Sequence, residues 1–97
     1  LEFRRVLFRS SVVSQKCYLC TGSHDFMSPH FDITASPVVI GEKCWLATDV
    51  FVAPGVSVGD GTVVGARSSV FKSLPANKIC RGNPAVVIRE RVETEKL

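Results

Sequence analysis

Between residues 40 and 70 an aliphatic side chain returns at every sixth position: Ile40, Leu46, Val52, Val58, Val64, Val70. A helix repeats near 3.6 residues and an amphipathic strand at 2, so neither alone produces a beat of six. Divided into hexads from Ile40, the chain reads IGEKCW, LATDVF, VAPGVS, VGDGTV, VGARSS, VFKSLP. The first position is always aliphatic. The second is small at Gly41, Ala47, Ala53, Gly59 and Gly65, with Phe71 the exception. The fifth is apolar or small: Cys44, Val50, Val56, Thr62, Ser68, Leu74.

This pattern predicts a short strand and a sharp corner, repeated. A fifth position and the next first position are two apart in the chain, so both face the same way and point inward. A small second position lets the chain bend close to its neighbours, and Pro54-Gly55 and Asp60-Gly61 supply turns. Three hexads close one coil, and each strand then pairs in parallel with the strand three hexads further along the chain. Ile40 lies under Val58, Leu46 under Val64 and Val52 under Val70. No coil is stable by itself, and stability accumulates from neighbour to neighbour.

Ninety-seven residues allow one small domain or a piece of a larger protein, and 45% hydrophobic content excludes a disordered low-complexity chain. No apolar run approaches the roughly 18 residues that cross a bilayer, and no signal-peptide pattern opens the chain, so no membrane insertion is expected. Residues 1–10, LEFRRVLFRS, share nothing with the hexads. Their LFRS ending is what one frame of a common sequencing-adaptor end encodes, so the segment is read as an artefact lying outside the fold. Removing it takes Lys+Arg from 12 to 9 and Asp+Glu from 9 to 8, and the net charge falls from +3 to +1. No case for nucleic-acid attraction survives.

Cys17 and Cys20 form a lone C-x-x-C with no second pair to complete a zinc site. Their surroundings, SVVSQKCYLC, are β-branched, which favours structural burial in a reducing compartment. Val13 and Leu19 keep the beat, with Cys17 at a fifth position. The beat then stops. Residues 21–37, TGSHDFMSPHFDITASP, read as a loop thrown out from the stack, and such loops commonly carry chemistry.

The hexads resemble the hexapeptide-repeat acyltransferases, from about Ser11 to Arg91, ending with the Gly82-Asn83-Pro84-Ala85 segment at which that family leaves its helix. The resemblance implies an all-β fold: a left-handed parallel β-helix of triangular coils, with an extruded loop and a short C-terminal tail. The domain spans residues 11–85, the tail 86–97, and the whole reads as a C-terminal fragment. Within the family the chain is most like sugar and colanic-acid-type O-acetyltransferases, which are cytoplasmic homotrimers using acetyl-CoA and no metal.

A histidine at the position of His24, in Thr21-Gly22-Ser23-His24-Asp25, is the catalytic base of those enzymes. The chemistry calls for one, because a sugar hydroxyl is a poor nucleophile until an imidazole accepts its proton. His30 has no family counterpart and reads as a loop-surface residue. The resemblance places the donor's pantetheine arm against main chain at Thr48 and Ala66. It places the nucleotide end near Phe71 and Lys72, with Arg89 as a further basic residue; a lysine and an arginine both suit phosphate. Val86 stands where the family carries arginine, and Arg81 or Arg91 could substitute. Trp45 matches an aromatic residue near the active-site groove, or packs against a neighbouring subunit. Two other readings remain: a non-catalytic β-helix assembly module, and a γ-carbonic-anhydrase-like metalloenzyme, for which two histidines are too few. The acceptor is expected to be a sugar or polysaccharide precursor.

Overall fold

The computed structural model describes residues 6–24 and 33–92, and strand is the only regular structure among them. β1 (Val6–Arg9), β2 (Val12–Val13) and β3 (Tyr18–Leu19) precede a small hairpin of β4 (Gly22–His24) and β5 (Ile33–Ala35). β6 (Val38–Glu42), β7 (Trp45–Leu46), β8 (Phe51–Val52), β9 (Ser57–Val58), β10 (Val63–Val64) and β11 (Ser69–Val70) follow. β12 (Lys78–Gly82) and β13 (Ala85–Glu90) complete the series. The chain visits three sheets in rotation. The first face is β1-β6-β9, the second β2-β7-β10-β12-β13, and the third β3-β8-β11. Pairing within them is parallel, except between β12 and β13.

The six-residue beat translates directly into burial. First positions from Ile40 to Val70 are at most 2% exposed, and fifth positions from Cys44 to Leu74 at most 8%. Ile40 pairs with Val58, Leu46 with Val64 and Val52 with Val70, three hexads apart in each case. Each buried aliphatic side chain contributes about 1.5–3 kcal/mol, and each needs the coil above or below it to be buried at all.

Second positions are small because of the next coil. A Cβ added to Gly59 would lie 2.5 Å from the Ala76 nitrogen and 2.7 Å from its Cα. The corner itself sits elsewhere. Lys43, Asp49, Gly55, Gly61 and Arg67, the fourth positions of five successive hexads, all adopt positive φ between 58° and 77°. Two are glycine; the other three accept a left-handed conformation that costs an L-residue about 1 kcal/mol or more. Fifth positions at the corner between first and second faces do more than fill space. Ser11 Oγ donates to Gly41 O (2.6 Å), Cys44 Sγ to Gly59 O (3.1 Å) and Thr62 Oγ1 to Pro75 O (2.5 Å). Each ties its coil to the next one.

Four expectations need correction. Residues 1–10 do not lie wholly outside the stack: β1 runs parallel to β6, with Val6 opposite Val38 and Leu7 opposite Val39. An open strand edge accepts any β-forming segment, whether or not it carries the hexad pattern. Second, Leu74 bridges Val58, a step shorter than three hexads, and β12 continues that shorter step against β10. The last coil is therefore contracted, and Leu74 takes a first-position place in the column. Third, the chain beyond Ala85 is not a tail. β13 turns back antiparallel along β12, and Lys78 Nζ meets Glu90 Oε1 at 2.6 Å. That ammonium holds the Glu90 carboxyl below the usual carboxylate range. Fourth, Arg91 is not free on the surface but tied to the stack. Its backbone N–H donates to Asn77 O (2.9 Å), and its Nη1 donates to Gly61 O (2.8 Å) and Lys43 O (2.9 Å), clamping three stacked corners.

Unfolding of a full-length protein by urea tests the register. Val58→Asp strands a carboxylate in the core and costs several kcal/mol. Thr62→Ala costs less, about 1–3 kcal/mol, but more than its size suggests, because Pro75 O and the Lys78 amide lose their shared hydroxyl. Equal losses at the two positions would contradict the register. Alanine at Gly59 is destabilising by about 2 kcal/mol or more, whereas Lys43→Gly is neutral or stabilising by up to about 1 kcal/mol. Two losses of similar size would contradict the placement of the corner.

Candidate active site

The winding is interrupted at one corner. Later coils pair strands three hexads apart, whereas Val12 pairs with Trp45 and Tyr18 with Phe51, so two and a half hexads of extra chain are inserted. The insertion begins after β3. Cys20 N still donates to Val52 O (2.9 Å), and Thr21 is only 3% exposed. Ser36 N donates to Thr21 O (2.9 Å), closing the base of the insertion. From there β4 and β5 run antiparallel, pairing Gly22 with Ala35, Ser23 with Thr34 and His24 with Ile33. The segment read as an open loop over 21–37 therefore has a laddered stem. His24 is the last residue of its outgoing strand, at the corner between third and first faces. Asp25 and His30 lie outside the described residues.

The residues matched to donor binding are distributed along the third face. Thr48 and Ala66 are third-position residues of hexads in consecutive coils, on the corner between second and third faces. The Arg67 amide donates to Thr48 O (2.9 Å). Phe71 and Lys72 are exposed at the opposite edge of that face, on the same corner from which the His24 hairpin springs, two coils further along. Arg89 stands apart. It is exposed on β13 opposite Ile79, at the far edge of the second face, with Nη1 donating to Glu90 O at 3.0 Å. Val86 is exposed on the same strand.

One feature was not legible as part of a site, the aromatic ladder of the third face. Tyr18, Phe51 and Phe71 form a ladder on the outside of the third face, with successive ring centroids 5.8 Å apart. The insertion hides the Tyr18–Phe51 step from any reading by sequence spacing. Trp45 is half-buried on the second face, and its Nε1 donates to Ser14 Oγ (3.1 Å) of the preceding coil.

A groove of about 470 Å³ lies on the remaining corner, lined by Lys43, Gly61, Asn77 and Arg91. The C-x-x-C cysteines are only half-buried: Cys17 Sγ donates to Ala47 O (3.0 Å) and Cys20 Sγ to Gly22 O (3.0 Å). Cys44 and Cys80 are the fully buried pair, and burial pushes the Cys80 thiol up. Among the described residues no three His, Cys, Asp or Glu side chains converge on one point.

Comparison with known proteins agrees with this geometry. Over 85 residues the chain is 85% identical to an Escherichia coli K12 protein named as a putative colanic acid biosynthesis acetyltransferase, WcaF, covering 88% of this chain and 47% of that protein. The chain thus spans about half the length of this curated relative. The crystal structure of a maltose O-acetyltransferase from Clostridium difficile 630 superposes with a TM-score of 0.84 at 29% identity, covering 91% of this chain and 49% of that one. A galactoside acetyltransferase in complex with coenzyme A superposes with a TM-score of 0.81 at 28% identity, covering 91% and 45%. Residues 37–72 match the bacterial transferase hexapeptide family, described as six repeats. With its hexad columns, its three-sheet winding and these relatives, the chain belongs to the hexapeptide-repeat transferases.

Proposed function

We propose that this chain is part of an acetyl-CoA-dependent O-acetyltransferase that acts on a hydroxyl of a sugar or exopolysaccharide precursor, with His24 as general base. The observation that carries the reading is the placement of His24. Among the described residues, the largest break in a regular winding is the insertion that lifts this histidine out of the stack. The names of the relatives, one bound to coenzyme A and one in colanic acid biosynthesis, support acetyl transfer to a carbohydrate.

In this reading the imidazole accepts the proton of the acceptor hydroxyl as its oxygen attacks the thioester carbon. The tetrahedral centre collapses, the C–S bond breaks, and CoA leaves as the thiol once a proton reaches its sulfur. No acyl-enzyme forms, because the thioester is already an activated donor. The donor lies along the third face, with its pantetheine arm against the main chain of Thr48 and Ala66. Phe71 and Lys72 meet its nucleotide end, and Lys72 and Arg89 face its phosphates. The winding is left-handed and the active protein is a cytoplasmic homotrimer, with each donor groove lined by two subunits.

Steady-state kinetics of a full-length enzyme separates these roles. His24→Ala lowers kcat by about 10²–10⁴-fold and leaves the KM for acetyl-CoA nearly unchanged. Lys72→Ala does the reverse, raising that KM with turnover at saturation intact. His30→Ala, the control, stays near wild type. Normal turnover by His24→Ala with a dead His30→Ala would move the catalytic centre to His30. Sedimentation is expected to give a trimer, and a fully active monomer would overturn the interfacial groove.

A further inference from the structure

The hairpin turn at Gly82–Ala85 is fastened to the stack at a particular place. Gly65 N donates to Cys80 O (2.8 Å), bringing β12 onto the corner between second and third faces. Ser68 and Ser69 then hold the turn from opposite sides of one strand. Inward-facing Ser68 accepts from Gly82 N through its Oγ (3.0 Å), and Ser69, on the outer surface, donates from Oγ to Asn83 Oδ1 (2.5 Å). Gly65, Ser68 and Ser69 bracket Ala66 and Arg67, so the turn stands on the same corner as Thr48 and Ala66, one coil further on.

The polarity of the Ser69 contact matters. A carboxamide has one accepting oxygen and two donating N–H groups. With Oδ1 engaged by Ser69, the Nδ2 donors turn away from it, and no acceptor meets them among the described residues. Asn83 is exposed, so the pair of donors faces outward at the end of the Thr48–Ala66 column.

We infer that Asn83 is a donor-binding residue, that its Nδ2 group hydrogen-bonds an oxygen of acetyl-CoA, and that Ser69 is the positioning residue that aims it. The inference rests on the acetyl-CoA reading above. It accounts for an outward serine on the third face, where the same column otherwise carries Tyr18 and Phe51.

Calorimetric titration of CoA into the full-length protein, paired with kinetics, tests this. Asn83→Ala and Asn83→Asp both weaken CoA binding by about tenfold and raise the KM for acetyl-CoA to match, with kcat at saturation within about twofold of wild type. Asn83→Asp keeps an oxygen for Ser69 and removes the N–H donors but adds a negative charge, so the uncharged Asn83→Ala must show the same weakening for the loss to be assigned to the donors. Ser69→Ala weakens binding by a smaller factor, about threefold, and Ser69→Thr restores it. If Asn83→Asp binds CoA as wild type does, the inference is wrong, whatever Asn83→Ala does. A wild-type protein that binds no CoA would instead overturn the acetyl-CoA reading itself.

Discussion

The structure depends on one repeated contact, a backbone ladder between strands three hexads apart. Phe51 N donates to Ser68 O, Ala53 N to Val70 O, Trp45 N to Thr62 O and Ala47 N to Val64 O, at 2.9–3.1 Å. Because the step equals three hexads, one register serves all three faces, and Ile40, Leu46 and Val52 land on Val58, Val64 and Val70. A one-residue slip would turn each core residue to solvent. The ladder therefore fixes where side chains go, and the Ser, Cys and Thr contacts at one corner fasten it further.

Such regularity makes any departure informative. A winding that repeats every three hexads can absorb extra chain only by expelling it, and the surplus leaves after Thr21. The buried Thr21 and its carbonyl bond to Ser36 close the stem, so the excursion leaves the stack without breaking the coil beneath it. A rigid scaffold with an outgoing hairpin is a fit arrangement for a base that must meet an exchangeable acceptor. The second departure, the shortened coil at Leu74, ends the winding and lets β12 and β13 fold back. The Arg91 clamp across three corners then seals that end.

Much of this was legible in the chain, for physical reasons. Column positions must be aliphatic because they are buried on both sides, so Ile40 to Val70 announce themselves. His24 stands out because the beat fails around it. Other features carry no compositional mark. Lys43, Asp49 and Arg67 adopt the same left-handed corner as Gly55 and Gly61, but a lysine or arginine does not advertise positive φ. Thr62 reads as a merely tolerated small residue, whereas its hydroxyl joins two coils. Leu74 fits the fifth position of its hexad, and only the strand pairing reveals the shortened coil. β1 pairs through its backbone, which no side-chain pattern encodes.

The central claim is that His24 removes a proton from a carbohydrate hydroxyl during transfer from acetyl-CoA. Its most direct test is the pH dependence of kcat/KM for the acceptor, in the full-length enzyme and in His24→Gln. An unprotonated imidazole is required in the free enzyme, so the wild-type rate should fall on the acid side of the profile. In His24→Gln that acid limb should disappear from a much lower, nearly flat profile. A variant that keeps both the wild-type rate and the same acid limb would contradict the account.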